Sequence, residues 1–380
     1  MGKVRWAGWT MAVATAFVMS SGQAARADIA SDKPAAIVVY PDVVVQANTD
    51  TVIRLTNTNQ TTPIDVHCFY VNANLECASG VCVPKCQETD FNIVLTEGQP
   101  IEWLASDGLA DDGLPLPFGV CQRNPFQACG SNDDCNPRPG GNCTHSNAGT
   151  RIPPVPENPF RGELKCIAVD ATGAPVARND LKGEGLIERF DTDPAVLDVA
   201  SYNAIGIQAV AGSATSDNVL TLGGTAGEYN GCPNFLILNH FFDGAADPVP
   251  GTDNEISTNL VLVPCSEDLL RQIPGAAVVQ YLVFNEFEQR FSTSRKVTCF
   301  QDLPLCNIDT PSCGRSIFNV AVAGTLTGQT RMNAIGVAPL PSGLLGVAVE
   351  HHNGDNTDRS AAFNLHMQGS RSTADTITLP

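Results

Sequence analysis

Alternation of apolar residues with polar or smaller ones recurs along the chain and predicts β-strands over most of its length. The period of two is clear in 91–96 and returns in 318–323. Such a pattern places one face of a strand in the core and the other toward solvent. Helical periodicity is confined to 266–273, where Ser266 is placed to cap a short helix. We therefore predict an all-β fold with one short helix.

Seven short apolar segments recur in the same order in the two halves of the chain. The pairs are 37–41 with 260–264, 51–57 with 278–285, 65–70 with 296–300, 91–99 with 318–329, 162–170 with 343–350, 201–210 with 360–369, and 217–222 with 375–379. Seven short strands separated by turn residues are typical of an immunoglobulin-like β-sandwich. We therefore predict two tandem sandwiches, 36–250 and 256–380, with Phe91 and Phe318 at equivalent inward positions.

Two insertions, 72–88 and 105–160, lengthen the first predicted sandwich. Neither has an apolar pattern able to bury a core, so we expect cross-links to hold both. The second contains "CQRNPFQACGSNDDCNPRPGGNC" (121–143), the cysteine-rich segment, with the spacing C-x7-C-x5-C-x7-C. This spacing resembles short cysteine-rich repeats of large secreted bacterial proteins, and the predicted sandwiches resemble uncharacterised exported bacterial proteins. The resemblance implies a disulfide-stapled extracellular unit and brings no activity with it.

The first 27 residues have the pattern of a cleavable export signal. Lys3 and Arg5 precede the apolar stretch "WAGWTMAVATAFVM", and Ala25-Arg26-Ala27 offers a cleavage site after Ala27. No later run reaches the roughly 18 apolar residues that a membrane helix needs. We therefore expect a secreted or periplasmic protein that does not span the membrane.

Cysteine usage favours disulfides over metal binding or free thiols. An even number of cysteines in an exported chain indicates complete pairing. A zinc site at Cys82 and Cys86 is disfavoured because no second cysteine pair completes it. In the cysteine-rich segment three pairings are open, and the interleaved one, with Cys121 joined to Cys135, restrains the most chain. The fourteen disulfide candidates are Cys68, Cys77, Cys82, Cys86, Cys121, Cys129, Cys135, Cys143, Cys166, Cys232, Cys265, Cys299, Cys306 and Cys313.

The acidic charge balance excludes some partners. The formal net charge is −18, and removal of a basic signal makes the mature chain more negative still. Nucleic acids and anionic membranes require clustered Lys and Arg, which this sequence lacks. Acidic residues spread singly along predicted loops act as a solubility feature.

Two acidic segments are candidates for metal binding. Adjacent histidines on a strand point to opposite faces, so the histidines of 349–358 are better explained by a solvated turn than by one shared ion. Calcium takes oxygen ligands from acidic loops, but neither segment has a complete EF-hand pattern. We expect no cofactor and keep calcium as the alternative. The candidate ligands are Asp133, Asp134, His351, His352, Asp355 and Asp358.

Catalytic motifs are absent from the sequence. Neither a G-x-S-x-G elbow nor an H-E-x-x-H helix occurs. Glu286 and Glu288 could form an acid pair for glycoside hydrolysis, but Arg290 is expected to neutralise them on the same strand face. His240 lies in an apolar strand, where we expect it to be hydrogen-bonded locally. A secreted hydrolase is therefore the last of three functional alternatives.

The preferred function is that of an exported, non-enzymatic structural or adhesive protein of the cell exterior. Rigid sandwiches suit this function because they present recognition residues on a stable frame. The alternative is a carbohydrate- or protein-binding module with an extracellular glycan or protein partner. Exposed aromatic side chains commonly serve as carbohydrate platforms, and Trp103 is the only tryptophan after the signal.

Export makes a direct prediction about the mature terminus. Protein recovered from the periplasm or medium should begin at Asp28, since the Ala-x-Ala pattern places cleavage after Ala27. N-terminal sequencing checks this. Replacing Ala25 and Ala27 by bulky residues should retain the precursor, and unchanged processing of that variant would contradict the assignment.

Overall fold

The computed structural model describes residues 29–380, apart from 79, 110–118, 122–123, 130–142, 145–151, 191–195, 211–216, 225–226, 249–254 and 354–358. Between 119 and 144 only backbone strands are described. As predicted, the described chain is nearly all β. None of its helices is long and apolar enough to cross a bilayer.

Twenty-eight strands make up the described fold. Strands β1 to β14 are Ile37–Val45, Thr49–Asn57, Ile64–Asn72, Leu75–Ala78, Val81–Pro84, Gln87–Leu95, Pro100–Leu104, Gly119–Cys121, Asn124–Cys129, Cys143–Thr144, Phe160–Val169, Leu181–Phe190, Val196–Asn203 and Ile205–Ile207. Strands β15 to β28 are Val219–Leu222, Phe235–Phe241, Ala245–Ala246, Glu255–Pro264, Glu267–Asp268, Ile273–Asn285, Arg290–Thr298, Gln301–Pro304, Thr327–Gly336, Leu340–Pro341, Leu344–Asn353, Arg359–Asn364, His366–Gln368 and Asp375–Thr378. Helix α1 is Val320–Ala323, and two 3-10 turns are Leu305–Asn307 and Cys313–Arg315.

Four sheets hold most of these strands. The first outer sheet has the order β13-β12-β2-β7, and the first inner sheet β14-β1-β11-β3-β6. The second inner sheet is β17-β18-β25-β26, with β22 also on β18. The second outer sheet is β15-β28-β19-β20-β23-β16-β27, with β21 and β24 also on β20.

The first inner sheet is covered on both faces. On one face, the Tyr40 hydroxyl donates to the carbonyl of Arg54 in the first outer sheet at 2.6 Å. The opposite face of β11 reaches the second half of the chain, where Lys165 contacts Glu267 and Arg161 pairs with Asp302. All nine residues of β1 are buried as a result. A strand buried on both faces has a continuous apolar run rather than an alternating one.

Strand β18 of the second inner sheet likewise has buried side chains on both of its faces. Its residues Val261 and Val263 belong to the apolar core shared with the first half. The intervening Leu260 and Leu262 belong to a separate core beneath the second outer sheet. Since neighbouring side chains of a strand point to opposite faces, the two inner sheets pack against each other in the middle of the protein.

Pro41 lies inside β1 rather than at its end. The pairing of β1 with β11 changes register between Tyr40 and Val43, which is an irregularity of the bulge type. A bulge accommodates a residue that cannot donate a ladder hydrogen bond. Pro264 occupies the corresponding position in the paired segment 260–264, and it is the last residue of its strand.

The predicted helix at 266–273 is wrong. Glu267–Asp268 form β19, which pairs with both β20 and β28, and a turn then leads directly into β20. Ser266 caps nothing, because its hydroxyl donates to Pro341 O at 3.1 Å and to Asp375 Oδ1 at 3.0 Å. Strand pairing on both sides satisfies the backbone more fully than one exposed helical turn would.

The predicted strand at 318–323 is also wrong, because most of this segment is helix α1. Asn319 caps it by accepting a hydrogen bond from Ala321 N at 2.9 Å, and Gly324 ends it with a φ of +72°. Phe318 is fully buried, as expected, but it precedes a helix whereas Phe91 lies in β6. The predicted equivalence of these two phenylalanines therefore fails.

Matched strand order between the two halves is not found. The first and fifth segments do pair in both halves, as β1 with β11 and β18 with β25. The second and third segments differ, because β20 pairs directly with β21 whereas β2 and β3 lie in different sheets. The tandem immunoglobulin-like repeat is thus unsupported by the strand pairing.

The expected boundary at 250 does not separate the sheets. Strands β15 and β16, placed in the first unit by sequence, pair with β28 and β23 of the second half. The final segments of the two proposed repeats, 217–222 and 375–379, are therefore partners in one sheet. The expected linker also contains β17, which pairs with β18.

Five disulfides lie among the described residues and indicate folding in an oxidising compartment. They are Cys68–Cys166, Cys77–Cys82, Cys86–Cys299, Cys232–Cys265 and Cys306–Cys313. The insertion 72–88 is held as expected, by a hairpin bridge and by the bond from Cys86 into the second half. The proposed pairing of Cys121, Cys129, Cys135 and Cys143 lies outside the described side chains.

Sequence separation predicts very different contributions from two of these bridges. Cys86–Cys299 closes 213 residues and Cys77–Cys82 closes five. In the chain-entropy model, removing the first by C86S/C299S should lower the free energy of unfolding by about 5 kcal/mol, and C77S/C82S should lower it by about 2 kcal/mol. Guanidinium denaturation of the oxidised proteins measures both. An equal or larger loss in C77S/C82S would contradict the model.

Candidate functional site

The exposed face of the second outer sheet carries a depression. This depression, called the polar groove below, has a volume of about 690 Å³. Its side chains are mostly uncharged, with a single cation. They are Phe235, Gln280, Leu282, Ser292, Ser294, Arg331 and Asn333.

Strand register explains why these side chains meet. Gln280 on β20 lies opposite Ser294 on β21 and Asn333 on β23. Asn333 in turn lies opposite Phe235 on β16. Because this row crosses four strands, its side chains all stand on the outer face.

A second row runs beside the first. Leu282 lies opposite Ser292 and Arg331, one step of two residues further along the same strands. Val279 and Tyr281, which alternate with Gln280 and Leu282 along β20, point inward and are buried in the second core. The rigid core beneath therefore fixes the positions of the groove side chains.

Arg331 is held in a fixed orientation across the groove floor. Its guanidinium carbon lies 5.3 Å from the ring centre of Phe235, and Nη2 donates to Gln368 Oε1 at 3.2 Å. Among the described residues, Arg331 forms no salt bridge with an acidic side chain. Its charge is thus available to a ligand, and the Phe235 ring beside it offers an apolar face.

A second depression of about 460 Å³ continues along the same strands. It is lined by Asn239, Phe284 and Gln329, with Gln329 Nε2 donating to Asn239 Oδ1 at 2.9 Å. Its floor requires glycine at Gly328, since a Cβ there would lie 2.6 Å from the carbonyl oxygen of Phe284. The two depressions together form an elongated surface of amides, hydroxyls and apolar side chains, to which Glu286 and Glu350 add two carboxylates at the second depression.

Glu286 and Glu288 do not form the suggested catalytic pair. Both lie in the turn between β20 and β21 and not on a strand face. Glu286 Oε1 accepts hydrogen bonds from the Thr327 hydroxyl at 2.6 Å and amide at 3.1 Å, whereas Glu288 is exposed with a φ of +60°. The predicted shared face with Arg290 is therefore wrong.

His351 and His352 lie in β25 instead of a solvated turn. They occupy opposite faces, as their adjacency requires. His352 contacts Asp247 at 2.9 Å and Glu350 at 3.1 Å. Burial lowers the pKa of His352, but these two carboxylates raise it above its ordinary value. His351 lies on the other side, near Asp302, whose pKa is raised by burial although Arg161 and His351 act to lower it. The two histidines do not share one site.

The other metal candidates receive no support from the described residues. Asp133, Asp134, Asp355 and Asp358 lie outside the described side chains. The two described clusters with metal-like spacing each contain a bridged cysteine pair, Cys232–Cys265 or Cys306–Cys313. A disulfide sulfur is not the thiolate that a metal requires.

Two further side chains have structural roles. His240 is buried, with Nε2 2.8 Å from Thr330 Oγ1 and Nδ1 2.8 Å from Phe241 O, which confirms the expected local hydrogen bonding. Burial lowers the pKa of His240 to about 4. Trp103 is in the core, where Nε1 donates to the Tyr70 hydroxyl at 2.8 Å. It therefore offers no platform to a ligand.

A buried acidic pair lies between the two halves. Asp302 pairs with Arg161 and accepts from Asn259 Nδ2 at 3.1 Å. Asp42, in the irregular part of β1, is 4% exposed, and its Oδ1 has no hydrogen-bond partner. Burial and the neighbouring Asp302 raise the pKa of Asp42 to about 7, against the lowering effect of Arg161.

The polar groove was not predicted from the sequence, although the strands that form it carry a signal. Gln280 interrupts the apolar residues of β20, and Arg331 and Asn333 alternate with apolar residues in β23. These are the outward positions of a strand with one solvated face. Which strands lie side by side could not be known from one sequence.

Comparisons with known proteins give no identity. No family model matches the chain, and no curated protein shows detectable similarity. Among solved structures, one from Thermotoga maritima ("Thermotoga maritima 1070") aligns with 37% of this chain and 99% of its own at 8% identity and a TM-score of 0.25. A Cowpea mosaic virus empty particle aligns with 95% of this chain and 98% of its own, at 9% identity and a TM-score of 0.18.

Asp42 makes stability depend on pH. A carboxyl whose pKa is about 7 in the folded state and near 4 when unfolded stabilises the fold fully below pH 4. That contribution is lost as pH rises toward 7. Asp42→Asn stays neutral, so its melting temperature should fall less than that of the wild type between pH 4 and pH 8. Thermal melts across this range measure it, with exposed Asp217→Asn as control. Parallel curves for wild type and Asp42→Asn would contradict the assignment.

Proposed function

We propose that the protein is an exported, non-enzymatic adhesive protein that binds glycans through the polar groove. The observation that carries the proposal is the composition of this surface, in which amide and hydroxyl groups surround the Phe235 ring. Saccharides present hydroxyl groups along their edges and C–H groups on their faces. Side-chain amides satisfy the hydroxyl groups, and an aromatic face packs on the C–H groups.

The positive charge in the polar groove favours an anionic glycan as the ligand. The chain is strongly acidic, with a net charge of −18, yet the groove contains one cation that no described carboxylate pairs with. An arginine held in place by Gln368 can donate two parallel hydrogen bonds to a carboxylate. The groove therefore suits a glycan that carries uronic acid or a similar carboxylated sugar.

Dimensions favour an oligosaccharide over a compact metabolite. The two depressions lie next to each other along β20 and β23, with volumes of about 690 and 460 Å³. A typical small-molecule site is more enclosed and more apolar than this surface. An open, elongated surface instead admits a chain that continues beyond the site at both ends, as an adhesin requires.

Substitutions on the groove should abolish binding without unfolding the protein. On a glycan array, we expect wild-type binding to carboxylated glycans. Arg331→Ala and Phe235→Ala should weaken this binding tenfold or more, about 1.4 kcal/mol each. Titration of the best array ligand by calorimetry measures the loss.

The chain offers matched controls for both substitutions. Arg290→Ala removes an exposed arginine at the end of β21, and Phe287→Ala removes a phenylalanine that is 72% exposed in the adjoining turn. Both should bind as the wild type does. A wild-type protein that binds no glycan would overturn the proposal and favour a purely structural role.

A further inference from the structure

A lysine and two glutamates are buried together between the two halves of the protein. Lys165 Nζ lies 2.6 Å from Glu267 Oε2 and 2.6 Å from Glu163 Oε1. The side chains of Lys165 and Glu163 are 1% exposed, and that of Glu267 is 4% exposed. Glu163 and Lys165 stand on the same face of β11, and Glu267 comes from β19, about a hundred residues away.

The surroundings of Lys165 are apolar. Val39 and Phe69 lie directly opposite it on the flanking strands, and both are fully buried. Ions are costly in such a place, because the hydration that they lose on burial is offset only when their polar atoms are all paired. The second oxygen of Glu163 has no hydrogen-bond partner, so the ionic arrangement is incompletely satisfied.

We propose that Lys165 and Glu267 condense into an amide bond that covalently joins the two halves, with Glu163 as the proton-transfer residue. Lys165 Nζ is already in contact with the carboxylate whose carbon it would attack, which gives an intramolecular reaction a high effective concentration. Removal of one ammonium and one carboxylate also eliminates their desolvation cost. Exclusion of water opposes the reverse reaction, hydrolysis.

Protons and atoms balance without a co-reactant. The Lys165 ammonium gives one proton to the Glu267 carboxylate, which yields a neutral amine beside a neutral carboxylic acid. The amine nitrogen attacks the Glu267 carbonyl carbon and forms the new C–N bond. Glu163 takes a proton from that nitrogen and returns one to the departing hydroxyl, and the C–O bond breaks to release one water.

Burial supports the part assigned to Glu163. It raises the pKa of Glu163 to about 8, against the lowering effect of Lys165. A carboxyl with a pKa near neutrality can both donate and accept a proton. For Lys165, burial lowers the pKa, but Glu163 and Glu267 raise it above its ordinary value. The amine therefore depends on an adjacent proton acceptor before it can attack.

Mass spectrometry of the full mature chain tests the proposal. After reduction of the disulfides, the intact protein should be lighter than its sequence by the mass of one water. Trypsin should not cleave after Lys165, and a branched peptide should join the segments that contain Lys165 and Glu267. A wild-type mass equal to that of the sequence, with normal cleavage at Lys165, would overturn the amide bond. This test needs no variant and so does not depend on how a variant folds.

An exposed pair in the same chain provides the control. Lys85 Nζ lies 2.7 Å from Glu157 Oε2, as close as the buried pair, but both side chains are about one-third exposed. Trypsin should cleave after Lys85 as usual. A branched peptide at Lys85 as well would show that contact alone is sufficient and would overturn the role given to burial.

Variants separate the roles of the three residues. Lys165→Arg keeps the positive charge but should retain the full sequence mass, as should Glu267→Ala. Glu163→Gln leaves both reacting groups in place and should slow the loss of water by about 10²-fold, the usual contribution of a general acid–base group. Loss of water at the wild-type rate in Glu163→Gln would overturn the assignment of Glu163.

Discussion

Contact between the two inner sheets is the constraint on which the rest of the structure depends. Strands β1 and β18 are buried on both faces, and each contributes one face to this contact. Exposure of either sheet would present a large apolar surface to water, which a soluble domain avoids. The two halves therefore do not behave as independent sandwiches on a flexible linker. The outer sheets are each supported by an inner sheet that is itself fixed in this way.

The charged side chains at this contact occur in clusters, because a buried charge needs an oppositely charged partner. Arg161 meets Asp302, and Lys165 meets Glu163 and Glu267. An isolated charge in the same place would cost several kcal/mol. Clusters also impose one alignment, because a shift of the inner sheets by one residue would turn these side chains to the wrong face. They thereby specify how the two halves dock.

Local sequence patterns predicted the all-β fold and the presence of disulfides. They failed where pairing with a distant strand determines the local structure. The run "IVVYPDVVV" already lacks the alternation of a half-exposed strand, so its double burial could have been inferred. In 318–323 the strand-like alternation was misleading, although Asn319 directly before Val320–Ala323 and Gly324 directly after it are the usual signals of helix ends. At 266–273 the helical pattern did not produce a helix, because β19 pairs with β28, a strand from the far end of the chain. The groove was not predictable, because Phe235 and Arg331 meet only through the pairing of β16 with β23.

The polar groove is built on strands and not on loops. Strand side chains over a packed core lose little freedom when a ligand binds, which lowers the entropic cost of association. Every second residue of each strand contributes a side chain to this surface. A glycan could slide by one sugar and meet similar groups, so avidity along a polymer would matter more than a single tight site.

The bond between Cys86 and Cys299 changes how the molecule carries tension. A pulling force applied at points before residue 86 and after residue 299 passes through this bond and bypasses the 212 residues between them. The bypassed stretch contains all of β11, β16 and β20, whereas β23, which carries the groove residues Arg331 and Asn333, lies after it. Tension would thus act on the flanking parts of the chain, which include β1 to β5 and β22 to β28. Among the groove strands, β23 would carry the load directly, whereas its neighbours β16 and β20 would be shielded by the disulfide.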